Sequence, residues 1–137
     1  MISDARGIPL IVYTTPANVN DAVPAISMLD RIRPVQGPRG RPKRRPTAFF
    51  GDRAYGTPDN LVDCYARDVQ PYLAQPRTPH GSGLGRVRYV IERTLAWFDN
   101  FRRLRLCYER WGRHFQAFHD LAAALICAGK LGWSSWF

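Results

Sequence analysis

Residues 47–56 read TAFFGDRAYG, and the fold turns on how that stretch is parsed. TAFFG (47–51) is short and apolar, which suits a β-strand, and it ends directly on Asp52. A carboxylate at the C-terminal end of a strand stands at the edge of an open sheet, where α/β folds place their ligands. Its neighbours Arg53 and Tyr55 are not core-forming, so Asp52 is either a plain strand-to-turn cap or a chemical group. Thr57-Pro58 then opens a helix in the preferred way, a capping hydroxyl followed by proline in the first turn. Leu61, Val62, Tyr65 and Cys64 are expected on its apolar face. Residues 69–74 read as a further strand, at a sheet edge because Pro71 cannot donate to a ladder.

Working upstream, PLIVYTT (9–15) is β-branched and apolar and suits a buried strand, entered through a turn at residues 4–7. Asn20 or Asp21 can cap a helix running to about Ile32, with Val23, Ile26, Leu29 and Ile32 on one face. Residues 34–46 (PVQGPRGRPKRRP) contain four prolines and form a long loop. Downstream, 75–86 is a second Pro/Gly-rich connector. A helical pattern then runs from Val87 through Val90, Ile91, Leu95, Trp97 and Phe98, breaking near Asn100. A last helix spans about 114–130, and its nearly all-apolar run 121–128 predicts burial. The order β-α-β-α-β-α-α is that of an α/β sheet domain with a helical C-terminal end.

The chain has 137 residues, enough for one domain with a real core. Its 20 Lys+Arg against 11 Asp+Glu leave a formal charge of +9, which selects polyanionic partners rather than a fold. Nucleic acid is the first candidate, and a basic protein with no such partner is the plain alternative. Cys64, Cys107 and Cys127 have neither metal-ligand nor redox spacing and read as small core hydrophobes in a reducing compartment. No signal-peptide layout or membrane-length apolar run is present, so a cytoplasmic protein without a membrane partner is expected. His80, His114 and His119 lack ligand geometry, and residues 81–85 (GSGLG) lack the spacing of a phosphate-binding loop.

Glu92 lies in RYVIERTLAWF, with Arg88 one turn before it and Arg93 beside it. An i,i+4 Arg–Glu pair on a solvated face explains that pattern, and so does a carboxylate that binds a divalent metal next to arginines holding phosphates. The stretches GIPLIVYTTPANVND, RPTAFFGDRAYG and VIERTLAWFDNFRRLRLCYER together resemble DDE-type transposases of bacterial insertion sequences. The resemblance covers nearly all the chain to about Lys130. It implies an RNase H-like catalytic domain, here an incomplete mixed sheet flanked by helices, acting on DNA element ends and target with two Mg²⁺ ions. Asp52 would be the second metal-binding and catalytic carboxylate of the family's triad and Glu92 the third, with Arg88 matching the arginine one turn before that glutamate. Where the family often has a tyrosine and a lysine, this chain has Gly85 and Asp99, so neither role is carried over.

Neither Asp4 nor Asp21 matches the family's first aspartate. The resemblance therefore implies the C-terminal part of a transposase, residues 1–130 with an aromatic tail at 131–137. Such a part would come from a second reading frame or a truncated remnant, bind DNA without cleaving it alone, and pair with an upstream portion or a full-length transposase. The competing reading is an inactive basic DNA-binding domain that modulates the full-length enzyme. In either case the expected DNA contacts are Arg39, Arg41, Lys43, Arg44 and Arg45 in the loop, Arg53, Arg88 and Arg93 beside the carboxylates, and Arg102 and Arg103 in the arginine-rich stretch 102–113.

Overall fold

The computed structural model describes residues 1–75 and 85–131, Arg86 through its backbone alone. Contacts divide the chain into two compact units, one of Met1–Pro16 with Tyr89–Phe137 and the other of Ala17–Arg88.

The unit 17–88 is built on the TAFFGDRAYG stretch. Strand β3 (Ala48–Gly51) is followed by helix α2 (Pro58–Tyr65) and strand β4 (Gln70–Leu73), and the two strands pair in parallel, Ala48 opposite Gln70 through Gly51 opposite Leu73. Parallel strands need a crossover, and α2 supplies it. Thr57 caps α2 as expected, its hydroxyl accepting from the Asn60 amide at 3.2 Å. Pro71 is accommodated because both strands of a two-stranded sheet are edges. Phe49, Cys64, Val69 and Leu73 are buried, each such apolar side chain contributing roughly 1.5–3 kcal/mol. The apolar face of α2 differs from expectation: Val62 and Tyr65 are exposed, while Asn60 and Cys64 are buried. Asn60 can be buried because its Nδ2 donates to the Tyr55 carbonyl at 3.0 Å.

Helix α1 (Ala25–Arg31) is shorter than the span 20–32. Asn20 does not cap it, because its Oδ1 accepts from the Ala22 amide at 2.9 Å in a separate turn. Val23, expected on the buried face, is thereby left exposed, while Ile26, Leu29 and Ile32 are buried together with Ala25 and Met28. Arg67 ties α1 to α2 through Asp30 at 3.0 Å and Asp63 at 3.1 Å. The loop 34–46 is not structureless. Val35 and Lys43 exchange two backbone hydrogen bonds of 2.9 Å, and Gln36 Nε2 donates inward to the carbonyls of Gly37 and Gly40.

In the other unit the expected turn at 4–7 joins an antiparallel pair, β1 (Ile2–Ser3) and β2 (Pro9–Ile11). The Asp4 carboxylate accepts from the amides of Arg6 and Ile8, and Gly7 takes φ +83°, the left-handed region open to glycine. The strand expected over 9–15 stops at Ile11 because the next backbone groups bond to a side chain instead. Gln116 Nε2 donates to the Val12 carbonyl at 2.9 Å, and its Oε1 accepts from the Thr14 amide at 2.8 Å. Helices α3 (Gly85–Asp99), α4 (Arg102–Arg105) and α5 (Gly112–Lys130) follow.

Helix α5 is not buried all round. Ala122 is enclosed, but Leu121 is 56% and Leu125 52% exposed, because the helix packs one side on β2 and α4 while the other stays open. Of the cysteines only Cys64 is buried; Cys107 is exposed and Cys127 is partly covered. Among the described residues the strands form one antiparallel pair and one parallel pair, one in each unit, and the class is mixed α/β. Among the described residues no helix is long and apolar enough to cross a membrane. Most of the connector 75–86, with His80 and the glycines before Gly85, and nearly all the tail 131–137 lie outside the described residues.

Candidate functional site: two separately mounted carboxylates

Asp52 leaves β3 into a tight turn. Its Oδ1 accepts from the Ala54 amide at 2.9 Å, its carbonyl accepts from the Tyr55 amide at 3.2 Å, and the side chain is exposed. Two glycines make this turn possible. A β-carbon on Gly56 would lie 2.1 Å from the Ala74 carbonyl oxygen, and one on Gly51 would lie 2.8 Å from Leu73 Cδ2. The turn is therefore pressed against the end of β4 with no room for a side chain at Gly56. Tyr55 packs beneath it, and burial, with the negative charges of Asp21 and Asp52, raises its hydroxyl pKa above the ordinary value. Asp21, assigned by sequence only as a candidate helix cap, thus shares the electrostatic surroundings of Asp52.

Glu92 is exposed on α3, where two following residues anchor the helix. Thr94 is fully buried, and its hydroxyl lies 2.8 Å from the Gly7 carbonyl and 3.0 Å from that of Val90. Arg93 Nη2 donates to the Arg6 carbonyl at 2.7 Å, and its guanidinium lies over the rings of Tyr89 and Trp97 at 5.4 and 5.3 Å. Lys130 Nζ sits 4.1 Å from the Trp97 ring centroid, tying the end of α5 to the same helix. Glu92 thus rides on a helix latched to the turn at 4–7. Asp52 belongs to one unit and Glu92 to the other, and each is described in its own frame.

Arg39, Arg41, Lys43 and Arg44 are exposed in the loop, and Arg53, Arg88 and Arg102 are exposed elsewhere. Arg45 Nη1 donates to the Arg67 carbonyl at 3.2 Å, Arg93 is latched as above, and Arg103 pairs with Glu109 at 2.7 Å while lying over Phe118. The stretch after α4 borders an open depression of about 390 Å³ lined by Glu109, His114, Ala117, Phe118 and Leu121. His119 Nδ1 lies 3.0 Å from the Phe115 carbonyl.

Asp52 and Glu92 are exposed oxygen donors of the hard type that suits Mg²⁺, although no three His, Cys, Asp or Glu side chains gather among the described residues. Sequence reasoning singled out both carboxylates as candidates but missed the residues that pack around them. Gly56 and Thr94 lie inside the motif stretches and Asn60 just beyond one, but none carries a charge, and only the packing around them reveals their part.

Residues 1–127 match the family model described as "Transposase DDE domain". The chain is 42% identical over 131 residues to the putative transposase for insertion sequence element IS402 of Burkholderia cepacia, a match covering 96% of this chain and 62% of that protein. No solved structure matches. The chain belongs to the transposase DDE-domain family.

Proposed function

We propose, with membership of that family as the premise, that this chain supplies two of the three metal-binding carboxylates of an insertion-sequence transposase. Asp52 is the second acidic residue and Glu92 the third, within an RNase H-like domain that works on DNA in the cytoplasm of a bacterial cell. The single observation that carries this reading is the position of Asp52, exposed in a strand-end turn whose backbone is pinned against the neighbouring parallel strand. A strand end is where α/β sheets present catalytic groups, and a pinned turn holds a carboxylate without depending on its side-chain contacts.

In this reading Asp52 and Glu92 would hold Mg²⁺, which when bound activates an attacking oxygen and stabilises the leaving one in displacement at phosphorus. The chain spans 62% of the length of the curated relative it matches, and the reading takes the remaining carboxylate from outside these residues. The protein's own groups then do two things. The latched helix and the pinned turn fix where the two carboxylates stand, and the exposed cations Arg39, Arg41, Lys43, Arg44, Arg53, Arg88 and Arg102 hold the DNA backbone of element ends and target. Arg45, Arg93 and Arg103 contribute charge while serving mainly to fix the fold.

Two measurements test this. In a Mn²⁺ titration followed by NMR, amides of residues 51–54 and 91–93 should broaden together at the same metal concentration, and Asp52→Asn should remove both effects. Broadening of one set alone would sink the shared-metal reading. In DNA binding by this chain, log K should fall linearly with log salt, by about 0.9 for each phosphate contact. A flat salt response would sink the DNA assignment. An inactive DNA-binding domain acting on a full-length transposase is the second reading. It predicts the salt response without the paired broadening.

A further inference from the structure

The loop between Val35 and Lys43 has a shape that simple phosphate binding does not require. Its ends are held by the paired backbone hydrogen bonds of Val35 and Lys43. Inside, Gln36 Nε2 donates to the carbonyls of Gly37 at 3.0 Å and Gly40 at 3.2 Å, bracing the chain across its own turn. Just beyond the bridge Arg45 fastens the root to the Arg67 carbonyl, and Arg67 is itself held by Asp30 and Asp63. The loop is thus a protrusion with a fixed base.

At its tip stand Arg39, Gly40 and Arg41, flanked by Pro38 and Pro42, and all five are exposed. Gly40 adopts φ +91°, and a β-carbon built there would meet nothing within 4 Å. The tip is therefore a bare backbone turn with a guanidinium on either side and open space around it. No acidic residue lies between residues 31 and 51 to neutralise these charges.

We propose that this loop inserts the Arg39–Gly40–Arg41 tip into the minor groove of A·T-rich duplex DNA. The proposal rests on the reading that the chain binds DNA, and adds the groove and the base composition. The minor groove is only about 6 Å wide, narrower still in A-tracts, and there its negative potential draws arginine in. A tip with no side chain between its two cations is narrow enough to enter. Guanidinium is less strongly hydrated than ammonium, so it leaves water for a groove at lower cost. The tip carries arginine on both sides, and the one lysine of the loop, Lys43, sits at its bridged base. A G·C pair places the guanine 2-amino group on the groove floor, in the way of such a tip, whereas A·T pairs present acceptors only. The braced root means that little ordering is required on entry.

The test uses the full chain and three labelled duplexes of equal length, made of A·T, G·C or inosine·C pairs. Inosine·C keeps the major-groove pattern of G·C but lacks the 2-amino group. The chain should bind the A·T and inosine·C duplexes roughly tenfold more tightly than G·C. Arg39→Lys/Arg41→Lys keeps every charge, so its salt slope and melting temperature should match the parent while the preference drops to about twofold. Equal affinity for all three duplexes, a preference for A·T that inosine·C does not share, or a preference unchanged by the double lysine variant would each overturn the proposal. In those cases DNA binding itself stands. Failure to bind any duplex would remove the DNA assignment and this proposal together.

Discussion

The two carboxylates are mounted by opposite means. Asp52 is held by something missing: Gly56 has no β-carbon, so its backbone can press against the Ala74 carbonyl and the turn has nowhere else to go. Glu92 is held by something added: the Thr94 hydroxyl and the Arg93 guanidinium reach back to the carbonyls of Gly7 and Arg6. A backbone contact of the first kind tolerates no substitution. A polar latch of the second kind loses strength in steps. The position of a side chain can thus be fixed by close packing or by hydrogen bonding, and the two respond differently to mutation.

The largest expected effect comes from breaking the first mounting. Gly56→Val puts a branched side chain where even a β-carbon would lie 2.1 Å from a carbonyl oxygen, and should cost more than about 3 kcal/mol. Segment-resolved hydrogen exchange should then show protection lost in β3, α2 and β4 while α5 keeps its own; equal loss everywhere would erase the contrast. Breaking the second mounting should cost less. Thr94→Val leaves the Gly7 carbonyl without its buried donor, for a loss of about 1–3 kcal/mol. Chemical denaturation gives that number, and Thr94→Ser should recover much of it by restoring the hydroxyl.

Two smaller effects sharpen the comparison through pH, both in the unit that carries Asp52. Burial raises the Tyr55 pKa, so the unfolded chain ionises first. Stability should therefore decline as pH rises above about 10, and Tyr55→Phe should flatten that decline in alkaline urea titrations. The Arg67 hydrogen bond lowers the Asp30 pKa below the ordinary carboxylate value of 3.8. Its contribution is fully present above that value and is lost as pH falls through the lower folded value. Asp30 is exposed, so this effect should be the smallest. A fall in denaturation midpoint between pH 5 and pH 3 that Asp30→Asn leaves unchanged would assign the acid sensitivity elsewhere.

What could be read from the sequence follows from which interactions are local. The capped start of α2, the strands on either side of it and the helical stretch after residue 85 are written in neighbouring residues, through Thr57-Pro58 and the apolar spacing. Asp52 and Glu92 were singled out by the resemblance of the stretches around them, since local pattern alone equally suits a turn cap and a solvated ion pair. Several of the differences involve distant partners, while the late start of α1 comes from the local turn that Asn20 makes with the Ala22 amide. The strand over 9–15 ends early because Gln116, more than a hundred positions away, takes its backbone bonds. The exposed leucines of α5 depend on what packs against that helix, which its own composition does not tell. The short strand β1 was missed likewise, since two residues carry no pattern of their own and only pairing with β2 defines them.

The close approach at Gly56 also has a genetic consequence. Every missense change in a glycine codon adds a β-carbon, so no single-nucleotide route at this position spares the contact with Ala74.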